Sequence, residues 1–409
     1  MTMMDLVRKF SGMGCAILIL LFALSFAREA ESAPSVYPTG LTIKKLDKAQ
    51  PGYTVYCVYG EDKIFVLDMD GKEVHTWDIP GLGANIKPLS NGHVLVLMRA
   101  DGDSSIQGSD TLREYDWEGK QVWEFAMPKD FKNLHHDFHL LPNGNILALG
   151  SRMRTIPAIP RQVRDDVIFE VDRDKNIVWE WSTLDHYDQL ALSDATRAYI
   201  AKGIKDADIF HTNSIQALPP NGLERTDYRF KRGNIIVSQR DTSLVFIIDK
   251  STGNIVWTLQ QKTVGQHHVS MIPSKLNGAG HIILFDNGGY SGYPNFYRLF
   301  SKVMEINLKS NRVAWQYTGN STDNRPLISF FSTFRSGIQR LRNGNTLITE
   351  SDWGRIFEVT SSGEIVWEYI NPYFRNMSGN FSNGYTNLIY RAYRVDLDWE
   401  KGSAGISYW

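Results

Sequence analysis

Cysteine is almost absent from this chain of 409 residues: there are two, Cys15 and Cys57. Cys15 sits inside an apolar N-terminal run that is expected to be removed, which leaves Cys57 alone and excludes an internal disulfide. Cohesion must then come from an apolar core, which a closed fold of about 375 residues can supply. Charge of one sign is missing too. Against 44 Lys and Arg stand 45 Asp and Glu, a net charge of -1, so the whole chain offers no basic field to a nucleic acid. The one long apolar run, Met13 to Ala27, is short of the roughly 20 residues a membrane-spanning helix needs. Arg8 and Lys9 precede it and Ser32-Ala33 follow it, the layout of a cleavable signal peptide. We therefore expect residues 1–33 to be a signal peptide, with an uncleaved N-terminal anchor as the alternative. Residues 34–409 would form a single domain, periplasmic or secreted, touching a membrane only if the segment stays.

Aromatic residues are plentiful, with 11 Trp, 18 Tyr and 20 Phe, which favours a β-rich protein. A unit of strand, polar turn and second strand ending in an aromatic recurs six times. It runs from Lys63 to Trp77, Thr111 to Trp123, Val167 to Trp179, Leu244 to Trp257, Lys302 to Trp315 and Arg355 to Trp367. Gly, Asn and Asp at the turns supply the backbone freedom of a hairpin. A second hairpin lies between successive units, with turns such as Ser90-Asn91-Gly92, Pro142-Asn143-Gly144 and Arg342-Asn343-Gly344. Two hairpins per unit make a four-stranded blade. The fold expected is all-β, a six-bladed β-propeller with four-stranded antiparallel blades. Ile389 to Trp399 and Thr54 to Tyr59 are the candidates to close the ring, and the six repeated Trp are expected to pack between blades.

The inner strand of each blade borders the central channel, so residues at one register on it converge. Counting five back from the apolar residue before each turn gives His136, Asn213, His267, Ser336 and Ala84; His211 lies two residues before Asn213, on the same face. Histidine is scarce, 10 of 409 residues, and three of them fall on this face. His135, His139 and His268 have the other parity and should point away. Arg240, at the end of the strand after the third-blade turn, and Arg152 are candidate anion-binding forks, with a surface ion pair as the plain alternative for Arg152.

Such a pocket admits three readings: covalent group transfer on a neutral imidazole, a metal-dependent enzyme using the axial histidines, or a propeller that binds a ligand or protein without chemistry. The metal-type spacing His135/His136/Asp137/His139 scatters its ligands over two faces, so no metal site and no cofactor is expected.

Three stretches resemble the aryl-sulfate sulfotransferase family, exported β-propeller enzymes. They are His135-His136-Asp137; His211-Thr212-Asn213-Ser214-Ile215 with Ser238-Gln239-Arg240; and Gln266-His267 leading to Phe285-Asp286-Asn287-Gly288. The resemblance spans roughly Lys63 to Tyr373. It implies a sulfuryl group moved from an aryl sulfate to a phenol without a nucleotide donor. It further implies that His267 is the nucleophile, that His211, Asn213 and Arg240 hold the sulfuryl oxygens, that His136 assists as acid or base, and that a fifth-blade hydroxyl, Thr333 or Ser336, closes the pocket. The chain departs from the family in having no partner for Cys57 and in placing His268 after the nucleophile. The insertion Asp185 to Asp208, with helical spacing, is expected either over the channel mouth or on the outer face. The aromatic loop Tyr290 to Phe296 is expected as an apolar wall for an aromatic ring or as packing between blades.

Overall fold

The computed structural model describes residues 38–99, 109–203, 207–259, 262–293, 296–319, 330–376 and 384–402. The expected signal segment 1–33 lies outside the described residues. From Thr39 onward the chain forms one unit, a ring of six antiparallel sheets. The blades run Tyr53–Asp78, Leu82–Ala126, Asn133–Ser182, Thr212–Leu259, His267–Tyr317 and Gly337–Ile370. The C-terminal strand Ile389–Val395 is the innermost strand of the first blade, beside Tyr53–Val58. At the other end of the chain, Gly40–Lys44 adds a fifth, outermost strand to the sixth blade by pairing with Ile365–Ile370. Both chain ends thus lock the ring, which leaves each blade flanked and the core shared between neighbours.

Each inner hairpin belongs with the outer hairpin that follows it. This moves two expectations by one blade: Arg240 lies on the fourth blade, not the third, and Thr333 and Ser336 on the sixth, not the fifth. The offset arises because the first outer hairpin takes its inner strands from Tyr53–Val58 and from the C-terminus.

The repeated Trp do pack between blades, and they do so with a polar handle. Trp77 Nε1 donates to Asp116 O at 2.9 Å, Trp123 to Arg173 O at 3.0 Å, Trp179 to Lys250 O at 3.2 Å and Trp315 to Ser361 O at 2.7 Å. Trp367 donates to Met69 O at 3.0 Å, carrying the pattern from the sixth blade back to the first. In these five the acceptor is the outer turn of the next blade, so the indole packs across the junction and satisfies a turn carbonyl at once.

At the axis the inner strands present unpaired edges, and side chains of the preceding blade fill them. Asp137 Oδ2 accepts from Ile215 N at 3.1 Å, Ser214 Oγ from Val269 N at 3.0 Å, Gln216 Oε1 from Met271 N at 2.8 Å and His268 Nδ1 from Ile338 N at 2.9 Å. Gln339 Oε1 accepts from Arg394 N at 2.7 Å, and Asn85 Nδ2 donates to His136 O at 2.7 Å. The polar character of these strands is therefore partly structural.

Candidate active site

His267 opens the inner strand of the fifth blade. Gln266 before it is anchored in the fourth blade, where its Nε2 donates to Ser238 Oγ, Gln239 O and Leu244 O, each at 3.0 Å. Asn213 Nδ2 donates to Gln266 O at 2.8 Å. The backbone that carries His267 is thereby fixed from behind. The ring is fixed through Nδ1, which lies 2.7 Å from Asn287 Oδ1 and 3.1 Å from Gly265 O. Asn287 spends its amide group on Ser332 O at 2.9 Å and Arg335 O at 3.2 Å, so only its carbonyl faces the ring. Nδ1 must then carry the proton and Nε2 the lone pair. Burial, then the charge of Arg240, hold His267 well below the usual imidazole range, so it is neutral at pH 7.

His136 and His211 sit edge to face, with ring centroids 4.7 Å apart. His136 Nδ1 lies 2.9 Å from His135 Nδ1. His135 gives its Nε2–H to Gly150 O at 3.2 Å, and so presents Nδ1 as the acceptor. His136 is again the Nδ1–H tautomer. Burial, then His211, keep it well below the usual imidazole range. His211 Nδ1 is 2.7 Å from Asp208 Oδ2, which also takes Arg164 Nη1 at 3.1 Å. Burial pulls the Asp208 carboxyl up, but His211 and Arg164 outweigh it and hold it well below the carboxylate range. All three imidazoles are therefore tethered at Nδ1, and among the described residues no protein group pairs with Nε2.

The local backbone is strained to achieve this. Of the eight non-glycine residues at positive φ among the described residues, five lie at the axis: His136 at 57°, His211 at 53°, His268 at 46°, Arg335 at 61° and Ser336 at 77°. Each costs on the order of 1 kcal/mol. Register shifts accompany them in the third, fourth and fifth blades, as between Thr212 and Ser214 or His267 and Ser270, and the inner strands of the first and second blades carry shifts of their own. Strict alternation fails at these bulges. His135, expected to point away, supports His136 directly. His268, likewise, lines a cavity on the axis beyond the bulge.

Arg240 completes the cluster. Its guanidinium lies 4.8 Å from the centre of the Phe334 ring, and its Nε donates to Asp241 Oδ1 at 3.0 Å. Thr333 neighbours Phe334 and is half-buried, its amide donating to Asp352 Oδ2 at 2.6 Å. Ser336 is fully buried, and its Oγ accepts from Ser351 N at 3.1 Å, a bond within the blade. Asn213 is also fully buried, with Oδ1 lacking a partner. Arg152 departs from the anion-site reading. It pairs with Glu180 and Asp130 and stacks 3.9 Å from the Phe131 ring centre, a surface ion pair.

The insertion ends at the site. Its helix, Asp194–Ala201, is capped by Ser193, whose side chain accepts from Thr196 N, and Tyr199 packs on Tyr293 at 5.7 Å between ring centroids. The segment then delivers Asp208 to His211. The aromatic loop lies beside Arg240: Ser291 Oγ bonds to Arg240 O, and Gly292 N donates to Asp241 O at 3.1 Å. Tyr290, Phe296, Tyr297 and Leu299 around it are exposed.

Sequence reasoning missed three residues here. Asp208 stands three before His211, a spacing that could have flagged it. Asn287 stood inside a quoted motif without a role. Arg391, fully buried on the closing strand, donates to Asp137 Oδ1 at 2.9 Å and Asn213 O at 3.2 Å; nothing local in its sequence marks it. One group of possible metal ligands among the described residues, Asp208, His211 and Asp241, has its atoms within 4.8 Å. Both carboxylates already face guanidinium groups, Arg164 and Arg240.

Fold and cluster together define a β-propeller with a histidine- and arginine-lined site on its axis. Residues 85–372 match the arylsulfotransferase (ASST) family model, and the chain belongs to that family, which makes it a sulfotransferase-type protein. No curated protein matches it in sequence. Among solved structures, a protein of unknown function from Bacteroides caccae is 15% identical, covering 84% of this chain and 98% of its own, at a TM-score of 0.51. That likeness shows the propeller fold alone. Virginiamycin B lyase from Staphylococcus aureus is 15% identical over 82% of this chain and 85% of its own, at a TM-score of 0.41, too distant to bear on function.

Proposed function

We propose that the protein transfers a sulfuryl group from an aryl sulfate to a phenol through a sulfohistidine at His267. The observation that carries this reading is the tethering of His267 through Nδ1–H to Asn287 and Gly265, which leaves a neutral Nε2 lone pair beside Arg240. In the first half-reaction Nε2 forms the N–S bond, the S–O bond to the aryl group breaks, and its electron pair leaves on the phenolate. The ring becomes cationic, and the two carbonyl oxygens on Nδ1–H stabilise that charge. Arg240 and His211 would bind the sulfuryl oxygens, and Thr333, beside Phe334, is the preferred hydroxyl, since Ser336 Oγ is committed within the blade. In the second half-reaction the acceptor phenol gives its proton to His136 Nε2, its oxygen attacks sulfur, and the N–S electron pair returns to His267. Asn213 serves chiefly to fix Gln266 and through it His267. The exposed aromatic residues of the Tyr290 loop suit a flat aromatic substrate. Export by the 1–33 segment belongs to the same proposal, supported by its basic start and apolar run.

The test is intact-mass spectrometry after brief exposure to 4-nitrophenyl sulfate. We expect a gain of about 80 Da, one sulfuryl group, that discharges on adding phenol and is missing in His267→Ala. Folded protein that releases no nitrophenol and gains no mass with several aryl sulfates would point instead to a propeller that only binds.

A further inference from the structure

The inner strands run on past the histidines, and toward their far ends they line a second cavity, open to solvent. Its lining is mostly apolar, chiefly Ile215, Met271, Ile283 and Ile338, with Lys87, Asp137 and His268 at the clasp and His139, Gln216, Gln339 and Arg340 among the other polar residues. A clasp across the axis separates it from His267. Asp137 Oδ1 receives Arg391 Nη1 at 2.9 Å and faces Lys87 Nζ at 3.3 Å, while Oδ2 accepts from Ile215 N at 3.1 Å. Four blades meet at this one carboxylate.

The charges at the clasp do not balance. Arg391 is fully buried and Lys87 nearly so, with 16% of its side chain exposed, and the two cations share the single anion of Asp137. Burial, acting against Asp137 and reinforced by Arg391, lowers the Lys87 pKa, the mark of an ammonium group short of counter-charge. Beside it His268 spends Nδ1 on Ile338 N at 2.9 Å. Burial, then Arg391, keep this ring neutral at pH 7, so its Nε2 carries a proton and is a donor. The clasp end of the cavity thus holds one uncompensated positive charge and a second N–H donor; the other cation in the lining, Arg340, is already paired with Glu305 at 2.6 Å, and most of the remaining surface is apolar.

We propose that this second cavity binds a small monoanion with an apolar body, an aryl or short alkyl carboxylate, with its head at Lys87 and His268 and its body between Ile215, Met271, Ile283 and Ile338. A dianion would exceed the available charge, and a neutral ligand would leave Lys87 uncompensated. The proposal is independent of sulfuryl transfer, because its residues are on the other side of the Asp137–Arg391 clasp.

Calorimetric titration of the whole protein with 1-naphthoate, and with the neutral 1-naphthamide, tests it. Naphthoate should bind one to one and about tenfold or more tighter than the amide, as a charge-assisted hydrogen bond implies. Lys87→Met should erase that preference and Lys87→Arg should restore most of it, while Leu276→Trp at the rim should block both ligands. Should Lys87→Met fail to fold, the acid-to-amide ratio and the Leu276→Trp variant still decide. Absence of saturable naphthoate binding overturns the proposal. So does equal affinity for acid and amide, or binding that is lost in His267→Ala and kept in Lys87→Met and Leu276→Trp, which would put the ligand at the histidine end. None of these results depends on whether an aryl sulfate is turned over.

Discussion

One nitrogen decides the proposed chemistry, and one asparagine decides that nitrogen. Asn287 cannot offer its amide group to His267, because both its N–H bonds go to Ser332 O and Arg335 O. Replacing it with alanine removes the 2.7 Å acceptor on Nδ1–H and frees the ring to turn or change tautomer. Asn287 is a positioning residue by this argument, so Asn287→Ala should slow single-turnover formation of the sulfuryl adduct by roughly 10- to 100-fold, the worth of a charge-assisted hydrogen bond, with little change in KM. Asn287→Asp keeps an acceptor and adds a negative charge that favours the imidazolium. It should recover much of the rate and move the acid limb of the pH profile upward. A merely structural asparagine would lose stability in both variants and leave the acid limb in place. His136, His211 and His267 were legible in the sequence because histidine is rare and theirs fell at matching register. Asn287 and Arg391 were not, since their roles depend on which carbonyl or carboxylate a neighbouring blade supplies.

At the level of elements, hairpins and Trp were readable because their signals are local: a turn needs Asn, Asp or Gly wherever it occurs. The blade boundaries were shifted by one hairpin because ring closure by Ile389–Val395 is a long-range fact. Parity failed at His135, His139 and His268 for a third reason, the bulges and left-handed residues that twist the inner strands at the axis. The outer turns give a clean check on the cost of such residues. Gly71, Gly119, Gly253 and Gly363 hold the left-handed position at φ 73°, 82°, 76° and 87°, and the third blade holds it with exposed Lys175 at 74°. Lys175→Gly relieves a side-chain clash there and loses no contact of the core. Urea unfolding should show it more stable by roughly 0.5–1 kcal/mol, the left-handed penalty less the added freedom of the unfolded glycine. A loss of stability would mean that the turn tolerates lysine without strain.

For the molecule as a whole, closing the ring gathers buried imidazoles on one axis and makes folding sensitive to acid. His136, His139, His267 and His268 are each held well below 6.5, with burial the leading cause in all four. In the unfolded chain they titrate near 6.5. Above that value both states are neutral, and the histidines add no slope. As pH falls through it, the unfolded chain takes up protons that the folded one refuses. Stability should drop by about 1.4 kcal/mol per pH unit for each histidine until its folded pKa is reached. The buried acids Asp165, Asp286, Glu350 and Asp352 are raised instead, burial leading again. They bind protons earlier in the folded state and so offset the loss, but toward the carboxylate range rather than near 6.5. The urea midpoint at constant salt should therefore be level above about pH 8, begin to fall as the pH drops toward 6.5, and fall most steeply about one unit below it, where up to four protons are taken up on unfolding. His139 lines the second cavity, away from the proposed chemistry, so His139→Phe should reduce the slope by one proton and leave the adduct at His267 unchanged. A midpoint that stays level or rises as the pH is lowered toward about 5.5 would mean that the axial histidines are not held neutral by burial.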